Sequence, residues 1–98
     1  MNILTHAEVE AHLAELSGWE LHGHKLAKTY LCKDFQAAIA FIVRMSFICE
    51  QLDHHPELHN VWNKVHLEIT THDAGNQLTD KDFRLAKEID AIAGRPEH

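Results

Sequence analysis

Asp34 to Pro56 reads DFQAAIAFIVRMSFICEQLDHHP, and this stretch governs how the rest of the chain must be laid out. Asp34 can cap a helix N-terminus. Phe35, Ala38, Ile39, Ile42, Met45, Ser46, Cys49 and Leu52 then recur at the three-and-four spacing of a buried helix face. Phe41 and Ile48 fall outside that stripe, so the helix is apolar around much of its circumference. Such a helix needs a second partner, and in a one-domain chain that partner is another subunit. Pro56 cannot continue a helix and pushes His55 toward extended geometry, so the helix should finish near Asp53 or His54.

Toward the amino end, Leu4 to Val9 carries a helix start. Thr5 caps, Glu8 closes a capping box, and Leu4 meets Val9 in a hydrophobic staple. Val9, Leu13 and Leu16 give this helix one apolar face, and Ser17-Gly18 ends it. Trp19 to Leu21 alternates as a strand does, His22-Gly23-His24 turns the chain, and Lys25 to Leu31 returns. Toward the carboxyl end, a tight turn at Asn63-Lys64 separates Val61-Trp62 from the alternation Val65, Leu67, Ile69, Thr71, which leaves His66, Glu68, Thr70 and His72 on a polar side. Asp73 to Asn76 is a loop. Leu78 to Phe83 repeats the staple with an approximate capping box and starts a last helix to about Ala93, closed by Gly94 and Pro96. The order α-β-β-α-β-β-α predicts a single α+β domain over residues 1–98, with a four-stranded antiparallel sheet and three helices packed on one face.

Ninety-eight residues at 45% hydrophobic content can build one core but not two. Fifteen acidic against nine basic residues give a net charge of −6, which repels phosphate backbones and argues against direct nucleic-acid binding. No run reaches the roughly 18 uninterrupted apolar residues of a membrane span, and the amino terminus lacks the form of a signal peptide. Cys32 and Cys49 are too few for a disulfide framework. These features together predict a cytoplasmic protein.

The chemistry concentrates around the chain break. Glu50, Asp53, His54 and His55 place two carboxylates and two imidazoles within six residues, and imidazole both gives and takes protons near neutral pH. Glu50 and His54 lie four apart, so the carboxylate can hold the imidazole across a helical turn, either as part of a site or as a solvated ion pair. His72 closes the last strand. Asp82, third residue of the last helix, suits a capping role near Thr79. Trp62 suits the core or a ligand platform. His6, His12, His22, His24 and His98 join no constellation. His55 and His59 have the i, i+4 spacing of a metal pair, but Pro56 breaks the helix that would make it useful, so no metal is expected. Neither cysteine neighbours a histidine and no G-x-S-x-G is present, which leaves covalent catalysis without support.

Glu50, then His54-His55-Pro56 after three residues, then Trp62, then His72 after nine intervening residues, then Asp82, form a spaced series that resembles the signature of the pterin-4a-carbinolamine dehydratases. Gly18-Trp19, Lys33-Asp34-Phe35, Arg44, the run Asn60 to His66, and Leu85-Ala86 extend the likeness over most of the chain. The resemblance implies dehydration of 4a-hydroxytetrahydropterin to quinonoid dihydropterin, in support of tetrahydropterin recycling for aromatic amino-acid hydroxylation. That step delivers a proton to the leaving hydroxyl at C4a and removes one from N5, which two positioned groups of near-neutral pKa can do without metal or cofactor. The resemblance further implies that His54, His55 and His72 form the catalytic cavity, with His54 and His72 as the acid/base pair. Glu50, Asp53, Trp62 and Asp82 would bind and orient. It also implies a homodimer or homotetramer and functional coupling to phenylalanine hydroxylase. An interaction module is the competing reading, resting on Phe41 and Ile48 as an exposed apolar surface.

Overall fold

The computed structural model describes residues 2–94, so Pro96 and His98 lie outside the described residues. Helix α1 (His6–Leu13) is followed by strands β1 (Glu20–His22) and β2 (Lys25–Leu31), helix α2 (Phe35–Leu52), strands β3 (Glu57–Val61) and β4 (Lys64–Ile69), a 3-10 turn (His72–Ala74) and helix α3 (Asp80–Ala93). The strands form one antiparallel sheet in the order β1-β2-β4-β3. Both the element order and the sheet are those expected from the sequence.

Strand alternation decides which face is covered. Leu26 on β2 pairs with Ile69 on β4, and Leu26, Val65, Leu67 and Ile69 are all fully buried. Helix α2 sets Ala38, Phe41, Met45 and Cys49 into the same core, and α3 adds Phe83, Leu85, Ala86, Ile89 and Ile92. The opposite face of the sheet carries Lys25, Thr29, His66, Glu68, Glu57 and His59. A carboxylate on α3 ties the helix layer to the sheet. Asp90 accepts from Trp19 Nε1 at 3.0 Å, from Lys28 Nζ at 2.8 Å and from the Tyr30 hydroxyl.

Helix α2 turns out to be rotated from the expected phase. Phe41 is 2% exposed and lies in the core, with its ring edge-on to Tyr30, and Ile48 is half-buried against that core. The apolar residues left outside are Phe35, Ile39, Val43 and Phe47, one every fourth position. A helix apolar on most sides gives its periodicity little power to choose the inward direction, which is why the pattern alone misassigned Phe41. By length and composition alone α2 could cross a bilayer. In this fold it lies across the sheet and packs on α3 and β4.

Other boundaries move for local reasons. Helix α1 ends at Leu13, not at Ser17, because Glu15 and Leu16 donate to carbonyls three residues back and tighten the chain out of the α-helix. Strand β1 begins one residue late, at Glu20. Strand β3 begins at Glu57, and Val61 pairs with Lys64, so the turn is Trp62-Asn63, not Asn63-Lys64. Trp62 adopts a φ of 51°, a region that sequence rules reserve for glycine and asparagine. Side-chain amides hold the turn in glycine's place. Asn60 Nδ2 donates to the carbonyls of Trp62 and Lys64, and Asn63 Nδ2 to that of Cys32. Thr70, expected outside, is buried and donates its hydroxyl to the His24 carbonyl at 2.9 Å.

Candidate active site

The end of α2 positions the first two histidines. Asp53 takes the left-handed conformation at the C-cap (φ 49°, ψ 47°), its N–H reaches the carbonyls of Cys49 and Glu50, and His54 N–H donates to Cys49 O at 3.0 Å. The chain therefore leaves the helix axis before His54. One ring is turned inward and the next outward: His54 is buried, whereas His55 is exposed.

This departure also decides the partners. The expected Glu50–His54 contact holds only if His54 is helical, and the left-handed cap removes that geometry. Glu50 instead accepts from His55 Nε2 at 2.5 Å on the surface. His54 Nε2 meets Asp82 Oδ1 at 2.7 Å in the interior. Asp82 is fully buried, and as third residue of α3 it also closes a capping box, its Oδ2 accepting from Thr79 N–H at 2.8 Å. The capping role read from sequence is real, and the same carboxylate serves His54 through its other oxygen.

The third imidazole comes from the end of the sheet. After β4, the carbonyl of Thr71 accepts from the N–H groups of Ala74 and Asn76, which curls the chain into the short turn headed by His72. Its ring is exposed and is held by Nδ1 to Asn76 Oδ1 at 2.8 Å. The turn aims His72 at the α2 terminus. Asp53, His54, His55, Pro56, Glu57, His72 and Asp73 line one open depression of about 350 Å³, within the range of small-molecule clefts.

The structure thus joins His54, His55, His72 and Asp53 around a single depression, with Asp82 behind His54 and Glu50 behind His55. It does not bring Trp62 there. Trp62 stands 65% exposed on the turn at the far end of β3, roughly 20 Å from Pro56 by the rise of a strand. Glu57 and Asp73 line the depression without having been singled out from the sequence, although each is next to a histidine motif. Asn76 was likewise read only as a loop residue. Among the described residues no three His, Cys, Asp or Glu side chains are grouped to hold a metal ion.

With this geometry in hand, comparison with known proteins is specific. Residues 2–92 match the family model described as pterin 4 alpha carbinolamine dehydratase. A protein of Roseiflexus sp. (strain RS-1), named "Putative pterin-4-alpha-carbinolamine dehydratase", is 47% identical over 89 residues, 91% of this chain and 95% of that one. A Sulfurisphaera tokodaii protein of the same name is 40% identical over 94% of this chain and 98% of its own length. Among solved structures, the transcriptional coactivator/pterin dehydratase from Brucella melitensis superposes with a TM-score of 0.89 at 36% identity, covering 95% of this chain and all of that one. A pterin dehydratase-like RuBisCO assembly factor of the alpha-carboxysome reaches a TM-score of 0.68 at 18% identity over 80% of this chain and 92% of its own, a likeness of fold alone.

Proposed function

This chain belongs to the pterin-4-alpha-carbinolamine dehydratase family, a family of hydro-lyases, and from that premise we propose that it dehydrates 4a-hydroxytetrahydropterin to quinonoid dihydropterin by histidine acid/base catalysis. The observation that carries the reading is the convergence of three imidazoles on one depression, each with one ring nitrogen held by a side-chain oxygen and the other without a hydrogen bond among the described residues. Such rings are oriented yet still able to exchange a proton. In the reaction, one imidazolium protonates the C4a hydroxyl as its C–O bond breaks, one neutral imidazole takes the N5 proton, and water leaves. His54 and His72 are the proposed pair, with His55 as positioning or alternate acid. The lining carboxylates Asp53, Glu57 and Asp73 suit the N–H-rich aminopyrimidine edge of a pterin. Glu50 and Asp82 orient their histidines.

Adding the protein to freshly generated 4a-hydroxytetrahydropterin and following the ultraviolet change tests the reading directly. Acceleration is expected, and His54→Ala or His72→Ala should lower turnover by about 10²–10⁴. Unchanged rates in both variants would end the assignment. A place in tetrahydropterin recycling beside an aromatic amino-acid hydroxylase such as phenylalanine hydroxylase, in the cytoplasm, follows from the same resemblance. A genomic neighbour of that class supports it.

Self-association, as a homodimer or homotetramer, is part of this proposal. It is supported by the exposed stripe Phe35, Ile39, Val43 and Phe47 on α2, which takes over the role first assigned to Phe41 and Ile48. Strand β3 is also a sheet edge. Because the two-residue turn is closed by the Val61–Lys64 pair, Leu58 and Asn60 direct their backbone N–H and C=O groups away from β4. An antiparallel two-fold pairing centred on His59 would join those groups and lay Trp62 of one copy beside Pro56 of the other. Trp62 would then serve as a binding residue only across subunits.

A further inference from the structure

The depression that gathers the three imidazoles continues past one of its walls. Glu57 lines it and also lines a second depression, of about 300 Å³, together with Leu58, His59, His66 and Glu68. This second depression lies on the open face of the sheet, over β3 and β4, where Glu57 stands opposite Glu68 and His59 opposite His66. Like charges directly opposite in a sheet destabilise it. Lys25 offsets part of that cost, its Nζ lying 2.5 Å from Glu57 Oε2 and 4.0 Å from Glu68 Oε1. The stability of the sheet therefore gives no reason for the paired carboxylates.

The lining groups sort by what they can still bind. Glu68 Oε2 accepts from His66 Nε2 at 2.9 Å, and His66 Nδ1 meets the Thr29 hydroxyl at 2.8 Å, so that ring has no nitrogen to spare. The bond from His66 holds Glu68 below the usual carboxylate range, which keeps it an acceptor at neutral pH. Glu57 Oε1, Glu68 Oε1 and both ring nitrogens of His59 make no hydrogen bond among the described residues. The open positions are thus two anionic acceptors and one imidazole that can donate and accept. Hydroxyl groups complement all three, whereas a phosphate or carboxylate would meet two like charges. The pterin can reach them. Asp53 and Asp73 are also without side-chain hydrogen bonds and are left to take the aminopyrimidine edge, while Glu57, engaged by Lys25, stands where the depression meets β3. A ring so oriented directs its C6 substituent, on the side away from the amino group, over Glu57. From Glu57 to His59 is roughly 7 Å along the strand, the span of a short substituent. We propose that the depression on the sheet face is a subsite for the C6 substituent of the pterin, and that it selects a neutral, hydroxyl-bearing chain. It opens on the face of the sheet, so pairing at the β3 edge leaves it accessible. The inference deepens the dehydratase reading and rests on it for the class of substrate.

Two 4a-hydroxytetrahydropterins, one carrying a 6-methyl and one a 6-dihydroxypropyl group, test the subsite. In the wild type the dihydroxypropyl compound should have a kcat/KM about 10-fold higher, the scale of one hydrogen bond to a charged group, with the difference in KM. His59→Phe and Glu68→Gln, both outside the core, should each bring the ratio of the two compounds toward 1. A ratio near 1 in the wild type overturns the proposal. So does a ratio that survives both substitutions, or a preference for a dihydroxypropyl compound that bears a terminal phosphate. Fluorescence titration with the corresponding 7,8-dihydropterins, which have no hydroxyl to lose at C4a, repeats the comparison as dissociation constants. If neither 4a-hydroxy compound is dehydrated faster than in buffer while the dissociation constants keep the expected pattern, the reaction assignment falls and the subsite stands. Failure of either dihydropterin to bind ends both.

Discussion

Replacing Phe41 by alanine separates two incompatible readings of α2. If Phe41 faced outward, as the stripe in the sequence suggests, truncation would leave the folded monomer nearly as stable as before. In the structure its ring is 2% exposed within the core and stands edge-on to Tyr30, with centroids 4.9 Å apart at 62°. Removing a buried Phe ring costs about 3–5 kcal/mol through lost transfer energy and the cavity left behind. An edge-to-face aromatic pair contributes about 0.5–1.5 kcal/mol of favourable contact within such a site. For a domain of this length each kcal/mol corresponds to roughly 4–8 °C in Tm, so a drop of at least about 12 °C is expected. Urea denaturation at a protein concentration low enough to dissociate oligomers measures the loss directly. Phe47→Ala, at a 67% exposed position of the same helix, is the control and should stay within about 0.5 kcal/mol. A Phe41→Ala loss below 1 kcal/mol would refute the core placement.

Charge at the outer stripe should act on assembly instead: Phe47→Glu is expected to lower the mass seen by light scattering while leaving far-ultraviolet dichroism intact, and retention of native mass would remove α2 from the interface. Tyr30 is the one tyrosine of the chain, and burial first, then its hydrogen bond to Asp90, pushes its phenol well above the ordinary tyrosine range. A raised folded-state pKa means that this contribution to stability is complete below the unfolded value of about 10 and is lost as pH rises beyond it. Tyrosinate absorbance should therefore appear together with unfolding, and an ordinary titration near pH 10 in still-folded protein would contradict this. Glu68 is held below the usual carboxylate range chiefly by its hydrogen bond to His66, so its contribution is present above pH 4.5 and fades as pH falls. A Glu68→Gln variant should accordingly narrow its stability gap from wild type on acidification, and a constant gap would discount the contact. Asp82→Asn keeps an oxygen for Thr79 N–H but can offer His54 an N–H where it needs an acceptor, so turnover should fall by roughly 10²–10⁴, as for other histidines forced into the wrong tautomer, while a stability loss of similar scale with unchanged turnover would leave Asp82 a cap only.

What could be read from the chain divides along physical lines. The capping box at Thr5 and Glu8, the Asp34 cap, the Pro56 break and the alternation Val65-Leu67-Ile69 are local signals, and each is realised in the structure. Caps and alternation depend on neighbours within four residues, so sequence alone is enough for them. The phase of α2 depends on what α3 and β4 present to it, and an apolar circumference conceals that choice. The Trp62-Asn63 turn depends on amide groups of Asn60 and Asn63 reaching carbonyls that the fold brings near, one of them on Cys32. At the site, the spacing of Glu50, His54, His55, His72 and Asp82 pointed to residues that the fold does gather, but not to how they pair. The exchange of partners, Glu50 to His55 and Asp82 to His54, follows from one left-handed residue, Asp53, a conformation open to aspartate but not announced by the helical spacing.

The depression forms where three chain reversals meet, and that coincidence has a cause. The C-terminus of α2, the N-terminus of α3 and the end of β4 each leave backbone groups that need partners. Thr79 and Asp82 satisfy those of α3, Asp53 turns the chain at the end of α2, and the Thr71 carbonyl receives the N–H groups of the 3-10 turn. Side chains recruited to finish these elements are therefore already polar, close together and rigid, which is what a proton-transfer site requires of its supports. Asp82 shows the economy most clearly: one oxygen finishes a helix and the other holds an imidazole, so the helix terminus and the site cannot be altered independently. Among the three histidines, only His54 shares this buried frame. His55 and His72 are held on the surface by Glu50 and Asn76, contacts open to water and correspondingly weaker. The fold thus supplies one imidazole of determined orientation and two that can adjust, an asymmetry suited to the proposed reaction, in which one proton is taken from a fixed ring atom while another goes to a hydroxyl that departs as water.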